Sequence, residues 1–161
     1  MKNIIKLFIL FIISTILHWA FAVAGAEIGI SVNVVFVFAF CACLFVKPAY
    51  GYTAAFVCGL FLDFFGTRMF GVYALTFTVL AWSVYFLAAR LDFQNTLTQF
   101  LAVFILSVLA QCFYSGAGVI FLRGVIWPGF KSLLFGSFFN AAAGVFMFYL
   151  FRAFRLSKEY K

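Results

Sequence analysis

The chain has 161 residues, of which 68% are hydrophobic and 9% are charged, and its mean hydropathy is +1.20. Soluble globular domains are nearer half apolar and a quarter charged, so this composition excludes a water-soluble protein. A membrane-crossing helix needs about 20 apolar residues, so the length allows roughly six such helices and no sizeable soluble domain. The net charge of +7 is not concentrated on one helix. This spread favours anionic lipid headgroups over nucleic acid as the partner of the basic residues.

Six apolar runs, separated by charged residues, proline or glycine, predict an all-α, polytopic transmembrane helical bundle. The runs are nearly continuous and do not alternate, which favours helices over the strands of a membrane barrel. We expect a single integral membrane domain over residues 1–161 and a basic cytoplasmic tail at 152–161. The predicted spans cover residues 4–23, 28–46, 49–65, 70–89, 96–122 and 129–151.

The distribution of lysine and arginine predicts the orientation of the chain. With the N-terminus inside, the inner segments hold Lys2, Lys6, Lys47, Arg90, Arg152, Arg155, Lys158 and Lys161, whereas the outer segments hold Arg68, Arg123 and Lys131. Basic residues are enriched on the cytoplasmic side, so both termini should be cytoplasmic. A multi-pass protein of this kind suits a bacterial inner membrane.

The first span has an alternative interpretation as a secretory signal. Its basic start and the Ala24-Gly25-Ala26 segment are typical of such signals. However, the apolar stretch from Leu7 to Ala26 is longer than a signal core of about 7–15 residues. We therefore expect an uncleaved span, and cleavage would leave five spans in the same orientation.

The spacing of the cysteines and the single histidine along the sequence does not predict a metal or cofactor site. Cys41, Cys43, Cys58 and Cys112 lie in apolar runs without metal-ligand spacing, so we expect small buried side chains. His18 has no second ligand on its helix face. We expect it to form an interfacial or interhelical hydrogen bond, and a proton-sensing role is the alternative.

The third span carries a ribbon of small residues that ends in an acid. Gly51, Ala55, Gly59 and Asp63 follow one another at a spacing of four, which rotates a helix by about 400° and keeps them on one face. Such ribbons allow close approach of a second helix. Asp63 either reaches outer water or Arg68, or it is buried and fixes the third and fourth helices, or a partner, by hydrogen bonds.

The fifth and sixth spans repeat this pattern with polar side chains. They are either internal seams of the bundle or docking faces for a partner helix, and a second copy of the chain would form a homodimer in the same way. The residues concerned are Ser107, Gln111 and Ser115 in the fifth span, and Ser132, Gly136, Asn140 and Gly144 in the sixth.

The segment from residue 59 to 75 resembles the bacterial rod shape-determining protein MreD family. That family has Gly-x-x-x-Asp, a glycine eight residues after the aspartate, and then x-x-Ala-Leu. Here those positions are occupied by Gly59, Asp63, Gly71, Ala74 and Leu75. The short chain, its basic ends and the multi-span layout are also similar. The resemblance is specific only over residues 51–75, and this chain has glycine at position 66, where serine is frequent.

The resemblance implies a non-enzymatic membrane subunit of the cell-elongation machinery, with a role in rod cell shape and lateral peptidoglycan synthesis. Proteins of this family bind MreC, which has a single span, and are linked through it to MreB filaments, to the RodA glycosyltransferase and to its partner transpeptidase. The polar stripes, or the ribbon that ends in Asp63, would then receive the MreC helix.

The composition leaves a second function open and argues against a third. A substrate-binding membrane subunit of an energy-coupling-factor vitamin transporter is similar in architecture and would need an outward-opening pocket. The residues that could line such a pocket are Trp82, Tyr85, Gln111, Tyr114 and Asn140. An intramembrane enzyme is not expected, because Ser115-Gly116 has no positioned base and the chain contains no paired carboxylates.

Overall fold

The computed structural model describes residues 2–30, 32–66, 69–122 and 129–154. Within these ranges the chain forms six α-helices and no strand, which confirms the all-helical prediction. Arg68, Arg123 and residues 155–161 of the predicted tail lie outside the described residues. The helices are α1 (Lys2–Ile28), α2 (Val34–Phe45), α3 (Pro48–Phe65), α4 (Val72–Ala88), α5 (Thr96–Leu122) and α6 (Gly129–Ala153).

Four of these helices are long and apolar enough to cross a membrane, namely α1, α3, α5 and α6. The other two are apolar but shorter, with 12 residues in α2 and 17 in α4. The predicted breaks between spans agree with the ends of the helices at several points. For example, α3 begins at Pro48, whose missing N–H costs nothing in the first turn of a helix.

Helix α2 is shorter than the second span predicted over residues 28–46. The chain leaves α1 at Gly29, which has a φ of 68°, and helical structure resumes only at Val34. Twelve residues measure about 18 Å, well below the roughly 30 Å of a hydrocarbon core. All twelve are buried, because α1, α3, α4 and α6 pack around α2. Its apolar side chains therefore contact protein and not lipid.

Aromatic side chains fill the space around α2. Phe40 packs edge-on against Phe148 of α6 with ring centroids 6.0 Å apart, and Phe45 packs against Phe151 at 5.1 Å. Each such pair contributes about 0.5–1.5 kcal/mol beyond the burial of its surface. Many of the phenylalanines in the chain thus hold the central helix in place.

The first and last helices meet at one end of the bundle. The Lys6 ammonium of α1 donates a hydrogen bond of 2.8 Å to the carbonyl of Phe154, directly after α6. At the same end, Arg152 donates to the carbonyl of Phe93 at 3.1 Å. The start of α1 and the end of α6 are therefore neighbours.

Candidate functional site

Asp63 forms the centre of the candidate site, at the joint between α3 and α4. Its side chain is 4% exposed. Oδ1 accepts a hydrogen bond from the Tyr73 N–H at 3.0 Å, and Oδ2 accepts one from the Ala74 N–H at 2.9 Å. Both donors lie in the first turn of α4. The N-cap of α4 is Gly71, which has no side chain to accept such bonds, so Asp63 caps this helix from a neighbouring helix.

This cap contributes more to stability inside a membrane than it would on a protein surface in water. The first N–H groups of a helix have no partner within the helix, and hydrocarbon offers no water to replace one. A carboxylate at a helix N-terminus also interacts favourably with the helix dipole. Of the alternatives for Asp63, the structure therefore shows the one in which it fixes the third and fourth helices.

The small residues of the ribbon explain how α3 comes so close to α4. A Cβ atom built on Gly59 would lie 2.5 Å from the Ala74 Cα and 2.5 Å from the Tyr73 carbonyl oxygen. One built on Gly51 would overlap the Tyr85 hydroxyl and lie 3.2 Å from the Cys43 Cα. Because these glycines face α4 and α2, the ribbon is occupied by helices of the same chain.

Four of the five motif positions therefore meet in one place. Gly59 allows the close contact, Asp63 caps α4, and Gly71 adopts a φ of 90° at the helix start. Ala74 lies against Gly59 and donates its N–H to Asp63. The fifth position differs, because the Leu75 side chain is 53% exposed. The joint explains the first four positions but not Leu75.

The polar residues of α5 and α6 lie at a second helix contact, the α5–α6 seam. Fewer of its polar atoms have a hydrogen-bond partner than at the α3–α4 joint. A Cβ atom on Gly144 would lie 2.9 Å from Val103 Cγ2, so the helices are close there. The Gln111 amide donates to the Ser137 hydroxyl at 3.4 Å. Among the described residues, the buried Ser107 Oγ and Gln111 Oε1 have no hydrogen-bond partner.

The other predicted residues of this seam are also inside the bundle. Ser115, Ser132, Gly136 and Asn140 are buried, as is Ala55 on α3. Only Gly71 and Gln111, among the predicted contact residues, are half-buried. The stripes therefore lie at contacts within the chain, and none of them forms an exposed docking face.

Asn140 has a particular partner that the sequence analysis did not identify. Its Oδ1 accepts a hydrogen bond of 2.7 Å from the Asn33 N–H, and the Asn33 Oδ1 accepts one of 3.0 Å from the Phe36 N–H. Two asparagines thus fix the start of α2 to α6. The available signal was an asparagine directly before an apolar run, which is typical of a helix N-cap.

A cleft of about 420 Å³ opens at the end of the bundle that holds the α3–α4 joint. The pocket predicted from the sequence does not coincide with it, since Trp82, Tyr85, Gln111, Tyr114 and Asn140 are not among its lining residues. Tyr114 does not line the cleft, but its ring stacks on the ring of Tyr73, which does, with ring centroids 4.5 Å apart. The main lining side chains are His18, Trp19, Asn33, Phe65, Tyr73 and Ser132.

The described residues contain no group of three histidine, cysteine or acidic side chains that could hold a metal ion. Cys41, Cys43 and Cys58 are buried as predicted. Cys112 is exposed on α5, so the prediction that it is buried is wrong. The His18 Nδ1 atom is buried without a hydrogen-bond partner in the described part of the chain.

The chain was compared with protein families, curated proteins and solved structures. No family model matches it, and no similar curated protein or solved structure was found.

Proposed function

We propose that this chain is a non-enzymatic subunit of the bacterial elongation machinery, similar to MreD, that binds the membrane span of MreC. The observation that carries the proposal is the α3–α4 joint. Gly59, Asp63, Gly71 and Ala74 are the motif residues of the resemblance, and each has a defined task at that joint. A motif whose residues cooperate in space is harder to obtain by chance than one whose residues scatter.

We further propose a bundle of six membrane segments with both termini in the cytoplasm of a bacterial inner membrane. The contact between Lys6 and the end of α6 supports this, because it brings the start and the end of the chain to one side. The basic residues at that end agree with the enrichment of Lys and Arg on the cytoplasmic side. The short α2 then lies inside the protein, surrounded by its neighbours.

The partner helix would bind on an exposed face of α4. The polar stripes are taken up inside the bundle, whereas Leu75, Val79, Trp82 and Phe86 are all at least 43% exposed. They recur at spacings of four, three and four, so they share one face of the helix. This face begins directly after the joint and includes the one motif residue that the joint does not explain. MreB, RodA and the transpeptidase would be reached through MreC.

Co-purification from a rod-shaped host tests this proposal. The double variant Leu75→Ala/Trp82→Ala should reduce the recovery of MreC about tenfold, because large apolar side chains carry most of the energy of an interface. The matched control is Leu101→Ala/Ile105→Ala on the exposed face of α5. Equal recovery of MreC with both variants, at equal membrane abundance, would refute binding at α4.

A substrate-binding transporter subunit is a second candidate, and the cleft of about 420 Å³ is the observation that favours it. Its volume falls within the roughly 300–1,000 Å³ of small-molecule sites. Depletion in a rod-shaped host separates the two candidates. Rounded cells support the elongation subunit, whereas normal rods with a requirement for an added vitamin support the transporter subunit.

A further inference from the structure

Arg90 lies directly beyond α4, on the side of that helix that carries its exposed apolar face. It continues the spacing of that face, whose members are Leu75, Val79, Trp82 and Phe86. The chain is still coiled at this point, because the Arg90 N–H donates to the Leu87 carbonyl at 3.0 Å. Arg90 is itself exposed, so the apolar face ends in an accessible cation.

The Arg90 side chain turns back along α4 and rests on an aromatic ring. Its guanidinium carbon lies 4.0 Å from the centroid of the Phe86 ring. Phe86 in turn stacks on Trp82, with ring centroids 5.9 Å apart and an angle of 22° between the planes. The face of an aromatic ring attracts a cation, so this stack holds the charge at a fixed place on the surface of α4.

The stack leaves the hydrogen-bond donors of Arg90 available. The ring covers one face of the guanidinium, whereas the N–H groups point outward in its plane. In the part of the chain that the structure describes, these N–H groups form no hydrogen bond or ion pair. Lys6 and Arg152, at the same end of the bundle, differ because each donates to a backbone carbonyl of this chain. Arg90 is therefore a fixed cation whose donors are unused.

The acids of the chain are committed elsewhere or lie away from Arg90. The sequence contains four acidic residues, of which Glu159 lies outside the described residues. Asp63 caps the opposite end of α4, and Asp92 accepts a hydrogen bond of 2.9 Å from a neighbouring backbone N–H. Glu27 lies in the last turn of α1, far along that helix from the end near Arg152. We therefore expect a carboxylate for Arg90 to come from another molecule.

The direction of the side chain favours a protein carboxylate over a lipid phosphate. An arginine that reaches for headgroups extends its stem away from hydrocarbon and towards water. The Arg90 guanidinium is instead held over a ring one turn earlier in α4, where a helix packed on the apolar face would place its own side chains. A carboxylate can form two parallel hydrogen bonds with the open edge of a guanidinium whose face is stacked.

We propose that Arg90 selects the partner helix of α4 by an ion pair with an acidic side chain of that helix. The inference rests on the proposed binding of MreC at α4 and adds the charge that the partner must carry. Fifteen residues separate Leu75 from Arg90, so the carboxylate lies about 22 Å along the partner from the residue that contacts Leu75. In the proposed orientation this is the cytoplasmic end of the partner span.

Co-purification of MreC at equal membrane abundance tests the ion pair, because the charge can be changed without altering the apolar face. Arg90→Glu should lower recovery about tenfold and Arg90→Gln about threefold. Arg90→Lys should lie between Arg90→Gln and the parent chain, since it keeps the charge but not the planar fork. The matched control is Lys47→Glu, which reverses an exposed charge directly before α3 and should recover MreC as the parent chain does.

An exchange of charges identifies the partner residue. Each acidic residue in the span of MreC, or within about one helical turn on its cytoplasmic side, is changed in turn to lysine. One of these changes should restore recovery with Arg90→Glu and lower it with the parent chain. Restoration by none of them, or equal recovery with Arg90→Glu and Lys47→Glu, would overturn the ion pair.

The outcomes separate this inference from the proposed function. If Leu75→Ala/Trp82→Ala loses MreC but Arg90→Glu does not, the ion pair is wrong and binding at α4 stands. If the parent chain recovers no MreC, the proposed function fails and the ion pair fails with it. A loss with Glu159→Gln equal to that with Arg90→Gln would place the carboxylate in this chain and contradict the inference.

Discussion

The α3–α4 joint and the α5–α6 seam both consist of small and polar residues at a spacing of four, yet they differ in how completely they are built. At the joint, both Asp63 oxygens accept backbone hydrogen bonds, and Gly59 lies against backbone atoms. At the seam, Ser107 Oγ and Gln111 Oε1 are buried without partners in the described chain. A stripe of small or polar residues in the sequence therefore does not predict how stable a helix contact is, because stability depends on which atoms the stripe contacts.

The largest effect is expected from Gly59→Ala. The added methyl group would press on the backbone of Ala74, which cannot rotate away, so α3 and α4 must separate. We expect a loss of more than about 3 kcal/mol in the free energy of unfolding. Denaturant titration in mild detergent measures it. A change below about 1 kcal/mol would mean that the joint is not tightly packed.

Asp63→Ala should have the next largest effect, because it leaves the Tyr73 and Ala74 N–H groups buried without an acceptor. Each orphaned group costs about 1–3 kcal/mol, so we expect a loss of about 3 kcal/mol. Asp63→Asn keeps one acceptor oxygen and should lose about half as much. Equal stability of both variants and the parent chain would show that the cap contributes nothing.

A smaller effect is expected when Gly144 of the seam is changed to alanine. Here the new methyl group meets the Val103 side chain at 2.9 Å and not a backbone atom, so the neighbour can give way. We expect a loss of about 1 kcal/mol. Val103→Ala in the same chain should restore part of it by making space, and a double variant no better than Gly144→Ala would argue against this contact.

The smallest effect is expected from Ser107→Ala. Its hydroxyl is buried without a partner among the described residues, so no hydrogen bond is lost. We expect a change within about 0.5 kcal/mol, or a slight gain in stability. Ser14→Ala is the matched control, because the buried Ser14 hydroxyl donates to the Leu10 carbonyl at 2.6 Å. A larger loss for Ser107→Ala than for Ser14→Ala would show that the Ser107 hydroxyl contributes to stability, which contradicts its assignment as an unpartnered group of the seam.

The sequence predicted the helices well where local signals mark their ends. The predicted third span at 49–65 and the helix at Pro48–Phe65 agree because proline and glycine flank it. The helix within the second predicted span is shorter than that span, because hydropathy does not mark where a helix begins and ends in a continuous apolar run. The 12 buried residues of α2 are as apolar as any membrane span.

The site was predictable in its residues but not in its contacts. The spacing of Gly59 and Asp63 indicated a close helix contact, whereas the identity of the neighbour depends on the tertiary arrangement. The cleft was not predicted, because His18, Asn33 and Ser132 come from segments far apart in the chain. Their meeting depends on how α1 and α6 pack around the start of α2, which periodicity along one helix does not encode.

The polar stripes lie inside the bundle, and we propose that the exposed face of α4 binds MreC. Photo-crosslinking in living cells tests it most directly, with p-benzoylphenylalanine placed at Val79 on α4 or at Ile105 on the exposed face of α5. We predict a crosslink to MreC from position 79 and none from position 105. Crosslinking from position 105 alone, or from neither position in cells that contain both proteins, would contradict the account.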